Sequence, residues 1–259
     1  MAFGPDNRFQ GGSAWTQPFG RSAAVDAAQL DEGLRAYMLR VYNWMASGLL
    51  LTGIVAYLIA NTGAADLFYQ VVRTPRGNAV SPTILGWIAM FSPLVFVLVL
   101  SFGINKLSGA TAQLLFWVFA AVMGLSLSSI FMVYTDASIA KVFFISAATF
   151  GAMSLYGYTT KRDLTGVGNF LIMGLIGLII ASLVNIFMQS SMLDFAISAI
   201  GVLIFVGLTA YDTQKIKESY DQGLASEMLH KTAVMGALSL YLDFINLFMM
   251  LLRLFGNRE

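Results

Sequence analysis

The chain contains no cysteine, which excludes disulfide bonds, thiolate metal centres and a cysteine nucleophile. Charged residues are also scarce, at 11% of the 259 residues, whereas soluble proteins carry roughly 25%. The net charge of +1 provides no concentrated basic face, so nucleic acid is not an expected partner. The sequence has no Walker loop, HExxH or GxSxG motif, and His230 is its only histidine. We therefore expect neither an enzyme nor a bound cofactor.

Hydrophobic residues make up 58% of the chain, and they form runs of about 20 residues, the length at which a helix crosses a bilayer. These runs predict an all-α membrane protein, a bundle of seven transmembrane helices. The predicted helices lie near Val41–Ala60, Ile84–Asn105, Thr111–Tyr134, Ile139–Thr159, Val167–Met188, Phe195–Gln214 and Ala233–Leu252. The polar, proline-containing stretch Arg73–Pro82 is predicted to be a loop.

Residues 1–30 contain no apolar run and are predicted to be a flexible cytoplasmic tail, which leaves residues 31–259 as the seven-helix transmembrane domain. Ten of the 15 lysines and arginines lie in or near the tail and the loops after the second, fourth and sixth helices. These ten are Arg8, Arg21, Arg35, Arg40, Lys106, Lys161, Arg162, Lys215, Lys217 and Lys231. Their excess predicts a cytoplasmic N-terminus and, with seven spans, a C-terminus on the opposite side.

Small residues recur at helical spacing in two predicted helices. The third helix contains Ala120, Gly124 and Ser128, and the fifth contains Gly177 and Ala181. Such stripes allow helix backbones to approach closely, so both predict helix packing. Asn185, next in the fifth-helix stripe, could instead line a path.

Two aspartates lie within the last two predicted helices, Asp212 in FVGLTAYDTQKIKE and Asp243 in ALSLYLDFINLFMMLLRLFG. A carboxylate inside a bilayer is costly and rarely faces lipid, so it indicates a functional site. At about 1.5 Å per residue, Asp212 is roughly 12 Å from Tyr220 and Asp243 about 15 Å from Ala233. Because the polar stretch Asp221–Thr232 can turn the chain, the two aspartates can lie at similar depth on neighbouring antiparallel helices.

Two carboxylates in a poorly solvated interior cannot both ionise easily, so the pair would share a proton and respond to pH. When ionised, Asp212 and Asp243 offer hard oxygen ligands for Ca²⁺, which makes them a candidate transient calcium site and cation path. Tyr211 and Tyr241 are close to the aspartates in sequence, and Asn246 follows Asp243 by three residues, so these three are candidate supporting groups. In the alternative interpretation, both carboxylates only form hydrogen bonds that hold neighbouring helices together.

The segments GLTAYDTQKIKE, residues 207–218, and LSLYLDFINLFMMLLRLFG, residues 238–256, resemble the transmembrane Bax inhibitor motif family (Bax inhibitor one and its bacterial relatives). The segment INKLSGATAQLLFWVFAAVMGLSLSSIF, residues 104–131, is similar to the family's third-helix region. The resemblance extends from about residue 35 to the end of the chain. It implies a bacterial member of the family, located in the inner membrane.

The resemblance also implies a central last helix surrounded by the other six. It further implies a pH-sensitive calcium leak controlled by an aspartate pair, which by motif match is Asp212 and Asp243 here. Some relatives carry an arginine in the second helix that latches one aspartate. The run from Ile84 to Asn105 contains no charge, so the latch is in doubt for this chain, although the pair is not.

Three other functions compete with a calcium leak in the lipid bilayer. The first is a non-conducting regulator of a membrane-bound protease or another membrane partner, since bacterial relatives include such a modulator. The second is an intramembrane aspartyl protease, for which Tyr211-Asp212 fits but Asp243, in LYLDF rather than GxGD, does not. The third is a proton-coupled transporter, which would need a broken helix with a substrate site, and the sequence shows no obvious one.

Overall fold

The computed structural model describes residues 19–74 and 77–257, without the side chains of residues 19–30, 71, 74 and 77–80. The helices and strands are α1 Phe19–Ala60, α2 Ala65–Phe68, β1 Tyr69–Thr74, β2 Gly77–Pro82, α3 Ile84–Gly103, α4 Gly109–Leu127, α5 Ile130–Val133, α6 Asp136–Thr159, α7 Thr165–Met188, α8 Ser191–Glu218 and α9 Ser226–Phe255. In these ranges seven helical segments are long and apolar enough to cross a membrane, with α4 and α5 counted as one. The predicted seven-span all-α fold is therefore confirmed.

The first helix is longer than the apolar run alone predicts. Its membrane-spanning part is Asp31–Ala60, but the helix begins at Phe19, within the segment predicted to be a tail. Residues 1–18 lie outside the described part of the chain, so the tail remains a prediction for them.

The prediction of a loop over Arg73–Pro82 is wrong. This stretch forms most of an antiparallel hairpin. Strand β1 pairs with β2 from Tyr69 opposite Pro82 to Thr74 opposite Gly77. The β1 sequence YQVVRT is rich in aromatic and β-branched residues, which favour strands. Pro82 is the last residue of β2, a position where the missing N–H is tolerated.

The predicted third helix is interrupted between Leu127 and Ile130. The hydroxyl of Tyr69 donates to the backbone carbonyls of Leu125 and Ser126, at 3.1 and 3.2 Å. A continuous helix would use those carbonyls for its own next turn. The hairpin therefore provides a partner for backbone groups at the break.

The last helix, α9, is the most buried span. In its apolar 18-residue segment 67% of the residues are buried inside the protein, against 39% for α8. It packs against α1, α4, α6 and α8, whereas α3 packs mainly on α4 and α7 on α8. The expected central position of the last helix is confirmed, with four of the other six spans as its main neighbours.

One of the two small-residue stripes packs as predicted. A Cβ added at Gly124 would lie 2.7 Å from both the Thr52 carbonyl oxygen and the Val55 Cβ, so α4 approaches α1 closely there. Gly177 instead has no atom within 4 Å of an added Cβ, and the packing prediction is wrong at that position. It faces away from the bundle.

Candidate functional site: an aspartate pair between α8 and α9

Helices α8 and α9 pack antiparallel in a constant register. A Cβ added at Gly236 would lie 3.1 Å from the Ile216 side chain, and one at Gly201 would lie 2.8 Å from the Met250 sulfur. Moving 15 residues back along α8 and 14 residues forward along α9 leads from the first contact to the second, so the antiparallel register is constant between them.

This register places the two aspartates at nearly the same depth. Continuing the register between these two contacts puts Asp243 level with Leu208 and Thr209, which are one helical turn, or about 5 Å along the axis, from Asp212. The charge of Asp212 acts directly on Asp243. The structure thus brings the two predicted site residues together across the α8–α9 interface.

The two carboxyl groups have different surroundings. Asp243 is only 5% exposed, and its Oδ2 atom has no hydrogen-bond partner within the described residues. Asp212 is half-buried, and the positive charge of Lys215, one turn further along α8, acts on it. An unpartnered buried polar atom is costly, and Oδ2 of Asp243 forms no hydrogen bond to a neighbouring helix in the described part of the chain.

The tyrosines and the asparagine near the pair direct their polar atoms elsewhere. Tyr241 is fully buried, and its hydroxyl is 2.7 Å from Oγ1 of Thr52 on α1. The ring of Tyr211 packs where Gly168 of α7 leaves space. Nδ2 of Asn246 donates to the carbonyl of Leu242 at 2.8 Å. No hydrogen bond in the described part of the chain joins any of these three side chains to either aspartate.

The substitution Tyr241→Phe tests this assignment of Tyr241 to helix packing. Thr52 already donates to the Ala120 carbonyl at 2.7 Å, so Tyr241 is the donor to Thr52 and only this bond is lost. We expect the free energy of unfolding to fall by about 1 kcal/mol, measured by thermal melting in detergent. Tyr211→Phe is the matched control and should melt like wild type, because its ring contact with Gly168 is kept.

A chain of hydroxyl groups next to Asp212 was not predicted. Thr213 donates to the Thr209 carbonyl at 2.7 Å, so the 3.0 Å contact between Thr213 and Ser154 uses the Ser154 hydrogen. The 2.6 Å contact between Ser154 and Tyr42 then uses the tyrosine hydrogen. This directed chain connects α1, α6 and α8. Its members lie on three helices and share no sequence spacing that could have indicated it.

The cation that acts on Asp212 belongs to the same helix. Helix α3 contains no charged residue and packs on α4, which leaves no arginine latch from that span. Nζ of Lys215 lies 5.9 Å from the centre of the Tyr211 ring. Sequence reasoning missed Lys215, although its spacing of three residues from Asp212 places the two on one helix face.

The carboxyl pair offers few ligands to a cation. The described residues contain no group of three or more His, Cys, Asp or Glu side chains that could hold a metal ion. Two carboxylates supply only part of the six to eight oxygen ligands that Ca²⁺ takes. A cation at Asp212 and Asp243 would keep much of its water, which suits transient passage rather than storage.

The sequence matches the family model described as "Inhibitor of apoptosis-promoting Bax1" over residues 34–259. Inner membrane protein YbhL of Escherichia coli K12 is 51% identical over 243 residues, which cover 93% of this chain and 99% of that protein. An uncharacterized protein of Rickettsia prowazekii is 51% identical over 229 residues, or 88% of this chain and 92% of that protein. An uncharacterized protein of Caulobacter vibrioides is 46% identical over 245 residues, or 93% and 97%.

Proposed function

This chain belongs to the Inhibitor of apoptosis-promoting Bax1 family, and we propose that it is a pH-sensitive, calcium-permeable leak in the inner membrane. Its similarity to Inner membrane protein YbhL over nearly its whole length supports that location, as do its seven apolar spans. The proposed orientation, with the N-terminus in the cytoplasm and the C-terminus on the other side, follows from the distribution of lysine and arginine.

The observation that carries the proposal is the buried Oδ2 atom of Asp243 on the central helix, which has no hydrogen-bond partner within the described residues and lies near the charge of Asp212. When the two aspartates share a proton, the pair carries a single negative charge and the α8–α9 interface stays closed. When the proton leaves, the two like charges repel. A hard cation relieves that repulsion by binding between them. The aspartates perform no covalent chemistry in this mechanism.

Helix α8 can shift when the aspartate pair loses its proton, because its contacts near Asp212 are polar as well as apolar. Thr213 is bonded to Ser154 of α6, and Lys215 acts on the Asp212 charge. A movement of α8 driven by the charge of Asp212 would therefore be transmitted to α6 through Thr213 and to α9 through Asp243. This coupling gives a local protonation event a route to the packing of three helices.

Calcium flux into liposomes that contain only this protein, measured across pH, tests the proposal. We expect Asp212→Asn and Asp243→Asn each to remove most of the pH dependence, because neither remaining aspartate has a like charge beside it. Asp136→Asn is the matched control, since Asp136 is an exposed acid in the first turn of α6 and should leave the flux unchanged.

Two outcomes would contradict the proposal. Unaltered size and pH dependence of the flux in both variants would remove the pair from the mechanism. No flux from the wild-type protein at any pH would favour a non-conducting regulator of a membrane protease or another membrane partner.

A further inference from the structure

A groove separates α1 from α6 along the length of the bundle. Both helices pack on α9, and two cavities of about 590 and 620 Å³ lie between them. Ala46 of α1 lines both cavities, so they join end to end. Phe244 of α9 forms part of the floor of the second.

The two cavities match the two leaflets of a bilayer. On α1 the first extends from Arg35 to Ala46 and the second from Ala46 to Leu58. At 1.5 Å per residue these stretches are about 17 and 18 Å long. Half of the hydrocarbon core of a bilayer is about 15 Å thick. Each cavity therefore has the length of an acyl chain layer in one leaflet.

Charge distinguishes the two halves of the groove. The first is lined by Arg35 and Tyr158, and Nζ of Lys217 donates to the Tyr158 carbonyl at 2.8 Å and lies 5.3 Å from its ring centre. The second half has no charged lining residue in the described part of the chain. Asp31 and Glu32 precede Arg35 by one turn but do not line the groove.

The interior of the first half is apolar. Its two hydroxyl-bearing side chains between the ends, Tyr42 and Ser154, are hydrogen-bonded to each other at 2.6 Å and need no polar ligand. An apolar slot with cations at one end is complementary to a lipid that has a hydrocarbon tail and a negatively charged headgroup.

We propose that this half of the groove binds one anionic phospholipid, with an acyl chain between α1 and α6 and the phosphate near Arg35 and Lys217. The bound chain covers Tyr42 and Ser154, the outer end of the hydroxyl chain that reaches Thr213 beside Asp212. The lipid site does not depend on calcium conduction.

Native mass spectrometry of the full-length protein with added phosphatidylglycerol or phosphatidylcholine tests the site. Gly151 lines the groove and has no atom within 4 Å of an added Cβ, so Gly151→Phe starts without a backbone clash and places its ring in the slot. We expect retained phosphatidylglycerol to fall to the level of nonspecific adducts. The matched control is Gly177→Phe on α7, which is equally open and far from the groove, and should retain the lipid.

A charge variant tests the headgroup contact separately. Arg35→Gln should lower the preference for phosphatidylglycerol over phosphatidylcholine by about fivefold. Arg40→Gln should not, because Arg40 lines a different pocket with Trp44 of α1 and Trp117 of α4. The proposal is overturned by equal retention of both lipids in the wild type, or by equal retention in Gly151→Phe and Gly177→Phe. Loss of a dimer rather than of lipid in Gly151→Phe would also overturn it, in favour of a second copy of the chain.

Discussion

Asp243→Leu is expected to abolish the pH-dependent calcium flux and to raise the melting temperature of the purified protein. A buried polar atom without a partner, such as Oδ2 of Asp243, costs about 1–3 kcal/mol. Leucine removes that atom and fills a similar volume. For a chain of this length the gain corresponds to roughly 2–12 °C, measured by scanning fluorimetry in detergent beside the liposome assay.

The control for this prediction is Ser198→Ala. Oγ of Ser198 is the other buried side-chain atom without a partner within the described residues, and it lies near the opposite end of α8 from Asp212. Its removal should also raise the melting temperature slightly and leave the flux intact. A melting temperature of Asp243→Leu below wild type would mean that the carboxyl makes a favourable contact. Persistent pH-dependent flux would mean that Asp243 does not gate.

The spans were predictable because a bilayer fixes the length of an apolar helix, and each run of about 20 residues shows that length directly. The hairpin was missed for the opposite reason. Proline and polar residues in Arg73–Pro82 indicate a loop, but Pro82 occupies a strand end where it costs little. The break after Leu127 depends on the hydroxyl of Tyr69, a residue far away in sequence, and no local pattern contains it.

The aspartate pair was predictable as a candidate site because a carboxylate is costly in an apolar run and is rare there without a function. The similar depth of the two aspartates was also predictable, since the rise per residue is nearly constant and α8 and α9 are consecutive. Asn246 is predicted from its helical spacing of three residues, but its amide donates to the Leu242 carbonyl instead. Tyr211 and Tyr241 are predicted only from nearness in sequence, and this fails in helices. Residues one or two positions apart do not share a helix face, so Tyr241 points to α1 while Asp243 faces α8.

Gly157→Ala is expected to destabilise the bundle strongly. An added Cβ would collide with the backbone carbonyl of Ala210 and lie 2.9 Å from its Cα. Backbone atoms cannot rotate away as a side chain can, so α6 must move off α8. The cost should reach the upper part of the range for overpacking, about 3 kcal/mol, which lowers the melting temperature by roughly 6–12 °C.

The same helix supplies the control for that prediction. Gly151→Ala adds the identical methyl group where no atom lies within 4 Å, and it should melt no lower than wild type. Gly157 is one turn from Ser154, whose hydroxyl is bonded to Thr213, so moving α6 should also break the hydroxyl chain beside Asp212 and change the pH profile of the calcium flux. Equal melting temperatures for the two alanine variants would show that α6 does not approach α8 this closely. Destabilisation with an unchanged pH profile would show that the hydroxyl chain does not influence the aspartate pair.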